Sequence, residues 1–191
     1  MRFTKVRPDT FKKLVMNAGI ICADFSPETG VVSDIIGATT GDLSFASNPE
    51  YVDFGEDVNN VPANTKQLKR LKSVDPTLSG SYVSVDAAIV KSMIGSATEE
   101  GGHIVPKGLD ISDFKNIWLV ADYSDNNSDA SGGYVAIHIK NALNTAGFQL
   151  TTTKDGKGNV SFEYHGHYDL DELEEDSEAQ PYEIYIKDGA A

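Results

Sequence analysis

Four groups of residues have side chains and spacings that could do chemistry. Glu163, His165, His167 and Asp169 alternate along the chain, so on a strand all four would project from one face. Imidazoles and carboxylates in that arrangement can ligate zinc, but a structural zinc site needs a closed set of four ligands, and a solvated outer strand face shows the same alternation. Asp125, Asn127 and Asp129 have calcium-loop spacing; an EF-hand loop would then require Gly and Glu where this chain has Ala130 and Ala136. The segment Ile36-Gly37-Ala38-Thr39-Thr40-Gly41-Asp42 resembles a phosphate loop but lacks the Gly-Lys-Ser/Thr ending and a following helix, so a turn or bulge close to another backbone is expected. Cys22 lies among Ile20, Ile21 and Ala23, where burial would raise its pKa and silence it as a nucleophile. No Ser-centred nucleophile elbow occurs. The expectation is a protein that is not an enzyme, with no catalytic residues, no metal and no cofactor.

Charge points the same way. A formal net charge of −13 over 191 residues argues against tightly held nucleic acid, which needs clustered Lys and Arg. The charge is uneven. The first twenty residues carry Arg2, Lys5, Arg7, Lys12 and Lys13 against Asp9 alone, and residues 66–72 add Lys66, Lys69, Arg70 and Lys72. Residues 169–178 hold seven carboxylates and no base. Each run could be solvated surface; in a homo-oligomer, basic patches could also meet acidic ones on a neighbour. One cysteine allows no internal disulfide, the first residues lack a signal-peptide core, and no stretch is apolar enough to span a bilayer, so a reducing aqueous compartment and no membrane insertion are expected.

The elements that must carry these residues read as mostly β, in a single domain over residues 1–191. Residues 1–13 read as an arm. A buried strand is expected over 14–25, with Gly19 a bulge or close approach, and another over 35–46. Residues 47–66 are rich in turn formers yet hold Tyr51, Val52, Phe54, Val58 and Val61, which reads as a long loop. A long strand or a bent pair, broken at Asp75-Pro76, covers 68–85. Asp86 then caps a short helix whose face is Ile89, Val90, Met93, Ile94 and Ala97. Ile117 to Ala121, apolar on both faces, should be a central strand. Strands follow at 134–140, at 148–153 and 159–168 around a 154–158 hairpin turn, and at 182–187 after an acidic loop. Val160, Phe162, Tyr164 and Tyr168 are the expected inner face of 159–168. Many short strands with 17 glycines point to a β-sandwich or barrel with one flanking helix.

The most unusual pattern runs from Ile36-Gly37-Ala38-Thr39-Thr40-Gly41 through Phe45 to the block Pro49 to Lys66. It continues at Leu78-Ser79-Gly80-Ser81, Trp118 to Ser124, Lys140 to Asn144, Gly147-Phe148, Glu163 to Tyr168 and Pro181 to Ile186. Taken in order, these segments resemble the major tail protein, or tail tube protein, of the long non-contractile-tailed phages (siphophages) of Gram-positive bacteria. The acidic run 169–178 is longer than the family pattern. The resemblance implies a tail-tube-type β-sandwich or barrel whose copies form hexameric rings stacked around a channel. It implies a tape measure protein in the lumen, and tail chaperones, a tail terminator and distal tail proteins as partners. Genomic DNA would pass without specific binding. The location would be the virion tail, with assembly in the host cytoplasm. Loop 47–66 becomes the inter-ring element, with Tyr51, Asp53, Phe54, Glu56, Asp57 and Val58 as candidate contacts; the competing reading has Tyr51, Phe54 and Val58 covering their own sandwich. Arg2, Lys5, Arg7 and Lys12 are second candidates, on charge alone. A carbohydrate-binding β-sandwich, which would need exposed aromatics on one sheet face where Trp118 instead sits in a run that should be buried, and a tail-completion or head-decoration protein are the alternatives.

Overall fold

A computed structural model of the chain describes residues 6–7, 10–55, 58–123 and 132–189, with backbone alone at 16–18. Its strands are β1 (Val15–Ser26), β2 (Val31–Ile35), β3 (Thr39–Ala46), β4 (Pro49–Asp53), β5 (Lys69–Val74), β6 (Thr77–Tyr82), β7 (Ala97–Glu100), β8 (His103–Pro106), β9 (Lys115–Tyr123), β10 (Tyr134–Asn144), β11 (Gln149–Thr151), β12 (Asn159–His165) and β13 (Tyr182–Lys187). Two helices join them, α1 (Ala87–Ile94) and α2 (Leu170–Glu175). The fold is mainly β, as the alternation and turns predict. The main sheet runs β2-β1-β9-β10-β12-β6-β3, with β13 also on β10 and β11 also on β12.

The doubly apolar run in β9 explains the middle of this order. Ile117 and Leu119 join Ile21, Ile139, Tyr82 and Phe162 in one buried cluster. Trp118 and Val120 point the other way, into a second cluster with Cys22, Phe25, Tyr134 and Ala136. A strand flanked by β1 and β10 and buried on both faces has no polar side to show. Burying each large apolar side chain here contributes roughly 1.5–3 kcal/mol.

β10 joins the two halves of the sheet. Tyr134 to Ile139 pair with β9 on one side and β13 on the other. The register then slips between Ile139 and Ala142, Asn141 takes a left-handed φ of 49°, and Leu143 and Asn144 pair with β12. Buried Asn144 donates to Met93 O (2.7 Å) and Gly147 O (3.1 Å) and accepts from Glu163 N (2.8 Å). One amide therefore ties the end of α1, the turn before β11 and β12 to the corner. The strand extends past the expected Lys140 because Asn144 finds partners that sequence cannot place.

Helix α1 follows its start signal but ends at Ile94, so Ala97, expected on its face, is instead buried at the start of β7. Asp86 accepts the Ile89 N–H at 2.8 Å, a cap that contributes about 1 kcal/mol. Ile89 and Met93 are fully buried, and Gly95 ends the helix at φ 84°. The expected bend at Asp75-Pro76 separates β5 from β6.

Several boundaries differ from expectation. The strand expected over 35–46 begins only at Thr39, as β3 pairing with β6, while Ile35 ends β2, a separate strand over Val31–Ile35 that returns along β1. Gly41, at φ 70°, sits in a register shift of β3, the bulge expected there, but no other backbone comes close, since a Cβ at Gly41 would meet nothing within 4 Å. Loop 47–66 contains β4, which pairs with β5 as a separate two-stranded sheet. The acidic stretch forms α2, because Asp169 accepts the Asp171 N–H and caps a short helix. Tyr168 lies beyond the end of β12 and is partly exposed, off the inner face, while Val160, Phe162 and Tyr164 are buried as expected. The β7–β8 hairpin gave no strong sequence signal.

Gly19 has φ +74°, sits in the β1 register shift, and would place a Cβ 2.8 Å from Val120 O. Gly19→Ala should cost about 2 kcal/mol or more in urea unfolding, from combined strain and clash. A variant as stable as the parent would refute this account of the bulge.

Candidate inter-subunit surfaces

The block that gave the most specific sequence pattern forms an arm. β4 and β5 pair antiparallel, with Tyr51 opposite Leu71 and Asp53 opposite Lys69. They hydrogen-bond to each other and to no strand of the main sheet. The base is fastened firmly. Asn48, in the left-handed region at φ 42°, donates through Nδ2 to Asp75 O and Thr77 Oγ1, both at 3.1 Å. Val74 is buried and its N–H donates to the Tyr168 hydroxyl (2.9 Å), which donates to Gln180 Oε1 (3.2 Å). Pro76 is fully buried beneath the corner.

At the tip, Asp53 orders the turn. Its Oδ1 accepts Gly55 N–H at 2.8 Å and its Oδ2 accepts Asn64 N–H at 2.7 Å. These two N–H groups hold the carboxyl below its ordinary pKa. Gly55 is buried because a Cβ there would meet Leu68 Cδ1 at 2.8 Å, and Val61 lies close behind. The turn is thus a small packed unit. Asn60 and Asn64 supply its left-handed positions, at φ 65° and 62°.

Tyr51, Phe54 and Val58 stay outside that unit, 55%, 65% and 47% exposed. They do not cover the sandwich. Leu71, opposite Tyr51, is also exposed and extends the same surface; its sequence signal was hidden in a run of lysines. Asp53 faces its own backbone, which makes it a scaffold of the turn. Glu56 and Asp57 lie outside the described residues.

Of the N-terminal candidates, Arg2 and Lys5 lie outside the described residues. Arg7 and Lys12 are exposed around a short 3-10 turn at Thr10–Lys12. Neighbouring Lys13 pairs with Asp188 at 2.8 Å, which ties the segment before β1 to the one after β13.

The alternating quartet is dispersed. Nδ1 of His165 is 2.7 Å from Asp75 and Nε2 is 3.1 Å from Glu163. Burial opposes the ring's charge, but these two carboxylates outweigh it and raise the pKa above its ordinary value. His167, past the end of β12, donates through Nδ1 to Asn141 O (3.0 Å), and Asp169 caps α2. Among the described residues no cluster of three metal-ligating side chains occurs. Asp125, Asn127 and Asp129 lie outside the described residues. Burial, then Asp24 and Asp34, pushes the Cys22 thiol up to about 11.

No family model matches the sequence, and no curated protein matches it. Several solved chains show a distant likeness, two of which follow. One is the tail of an empty gene transfer agent particle with C6 symmetry, at 11% identity and a TM-score of 0.42, covering 80% of this chain and 92% of that one. The other is the virion of a native gene transfer agent particle, at 12% identity with the same TM-score and coverage.

Two predictions test these geometries. Asp53→Ala should speed amide exchange over 58–64 by about tenfold or more, the loss of charge-assisted hydrogen bonds, while β9 and β10 keep their protection. Unchanged exchange at the tip would contradict the scaffold role. The His165 bridge has a raised folded-state pKa, so its contribution is complete below the unfolded value near 6.5 and is lost as pH rises through the folded value. Urea midpoints should show His165→Gln most destabilising at pH 6 and less so at pH 9; a pH-independent gap would count against an ionic bridge.

Proposed function

We propose that the chain is a non-catalytic structural subunit of a phage-type tail tube, whose copies form stacked hexameric rings joined by the β4–β5 arm. The observation that carries this reading is the arm itself. A fastened base and an ordered tip hold Tyr51, Phe54 and Val58 exposed, away from the core. Large apolar side chains held in that way suit docking on a partner, as aromatic anchors do. The sequence resemblance to siphophage major tail proteins, centred on the same block, supplies the type of assembly.

The rest of the chain is compatible with that role. An arm that docks on a different surface of the next subunit makes a heterologous contact, which propagates along a filament. A formal charge of −13 per copy would repel DNA phosphates and let a genome slide through the channel. On this reading a tape measure protein fills the lumen before DNA does, and tail chaperones, a terminator and distal tail proteins meet the tube during assembly. The carbohydrate-binding alternative has less to support it, since Trp118 is 7% exposed and stacks flat on His138 at 4.1 Å.

Negative-stain electron microscopy of the purified protein should show open-ended tubes, and Phe54→Ala should abolish them while circular dichroism stays unchanged. Closed rings without tubes would favour a tail-completion or decoration role, and persistent monomers would overturn the proposal.

A further inference from the structure

The ties at the root of the arm differ in kind. Asn48 Nδ2 donates to Asp75 O, Val74 N–H to the Tyr168 hydroxyl and Gly166 N–H to Pro76 O, all between uncharged groups. The tie from His165 is ionic. Its ring lies between two carboxylates, with Nδ1 2.7 Å from Asp75 Oδ1 and Nε2 3.1 Å from Glu163 Oε1. A neutral imidazole has one N–H and one lone pair, and a lone pair makes no bond to a carboxylate oxygen. Only the imidazolium, with an N–H on each nitrogen, satisfies both contacts at once.

The two carboxylates belong to different parts of the molecule. Asp75 closes the arm: it follows β5, and its N–H donates at 3.3 Å to Asn48 O, just before β4. Glu163 belongs to the sheet, where its N–H donates to Asn144 Oδ1 at the β10 corner. The ring's cross-strand neighbours, Thr77 on β6 and Leu143 on β10, are uncharged, and His167 is engaged with Asn141 O. Among the described residues, Asp75 and Glu163 are therefore the titratable groups that face the ring. The His165 side chain is 20% exposed, enough for water to take its proton away.

We infer that His165 is a proton-operated latch: the protonated ring clamps the root of the arm to the sheet corner, and the neutral ring lets it go. Losing the proton removes one of the two hydrogen bonds and takes the opposite charge away from the other, so the hold on Asp75 weakens in either tautomer. Burial opposes the ring's charge, but the two carboxylates outweigh it. The latch is therefore closed below the ordinary histidine value of 6.5 and opens as pH rises through the higher folded value. A loosened root lets the arm swing, and docking would then have to restore its order. That consequence for assembly rests on the docking role proposed above for the arm; the latch itself does not.

Amide exchange over residues 73–78, followed by mass spectrometry at pH 6 and pH 9 with labelling times scaled for the intrinsic rates, tests the latch. In the parent the root should exchange about fivefold faster at pH 9 than at pH 6, while residues 117–121 stay unchanged. His165→Gln should show no such difference. Titrated by nuclear magnetic resonance, the His165 ring should give up its proton at a lower pH in Asp75→Asn than in the parent. A root that exchanges alike at both pH values in the parent, or that opens as much in His165→Gln, overturns the latch. Assembly is read separately, as the protein concentration at which light scattering appears. That threshold should rise from pH 6 to pH 9 about fivefold more in the parent than in His165→Gln; an equal rise in both overturns the effect on docking. If Phe54→Ala assembles as the parent does, the docking role falls, and the exchange result alone upholds or overturns the latch.

Discussion

The fold depends on one strand being shared. β10 pairs with β9 and β13 through its first six residues, meets β9 again at Ala142 and pairs with β12 through its last two, and the backbone turns at Asn141. A corner of this kind exposes backbone groups that a straight ladder would satisfy, and leaving them unpaired inside a core would cost more than the bend gains. Side chains close the gap. Asn116 accepts the Asn141 N–H, His167 donates to the Asn141 carbonyl, and Asn144 bonds three elements at once.

The same corner sets the arm. Gly166 N–H donates to Pro76 O, and His165 reaches Asp75, so the end of β12 holds the bend from which β5 departs. The arm's direction is inherited from the sheet. Its tip is built separately, from the Asp53 carboxylate and a few apolar contacts around Gly55. A fastened base with a self-contained tip is an economical way to present a surface, because the ordering entropy is met on folding and little is left to lose on docking.

Charge is divided less sharply. Lys66, Lys69 and Arg70 share the arm with Asp53, which lies opposite Lys69, while the carboxylates of 169–178 sit on the body near its root. Within one chain most of these groups face water, where ion pairs contribute little.

Sequence by itself determined the features that local physics controls. The doubly apolar run 117–121 had to be a central strand, since both of its faces need burial. Asp86 before an apolar stripe had to start a helix. Gly19 had to mark a bulge or close approach, and Asp75-Pro76 a break. Those signals lie within a few residues of what they specify. Tertiary structure alone decided the rest. Residues 35–46 read as one strand, yet β2 and β3 take different neighbours, because pairing depends on partners distant in sequence. The 47–66 segment read as a loop, since its turn formers hid a strand whose partner begins at Lys69. Glu163, His165, His167 and Asp169 alternate as if on one face, but the strand ends at His165, and distant Asp75, Asn141 and the α2 N-terminus claim the side chains one by one. Periodicity shows which way a side chain points only while the strand lasts, and where a strand stops is set by what it packs against.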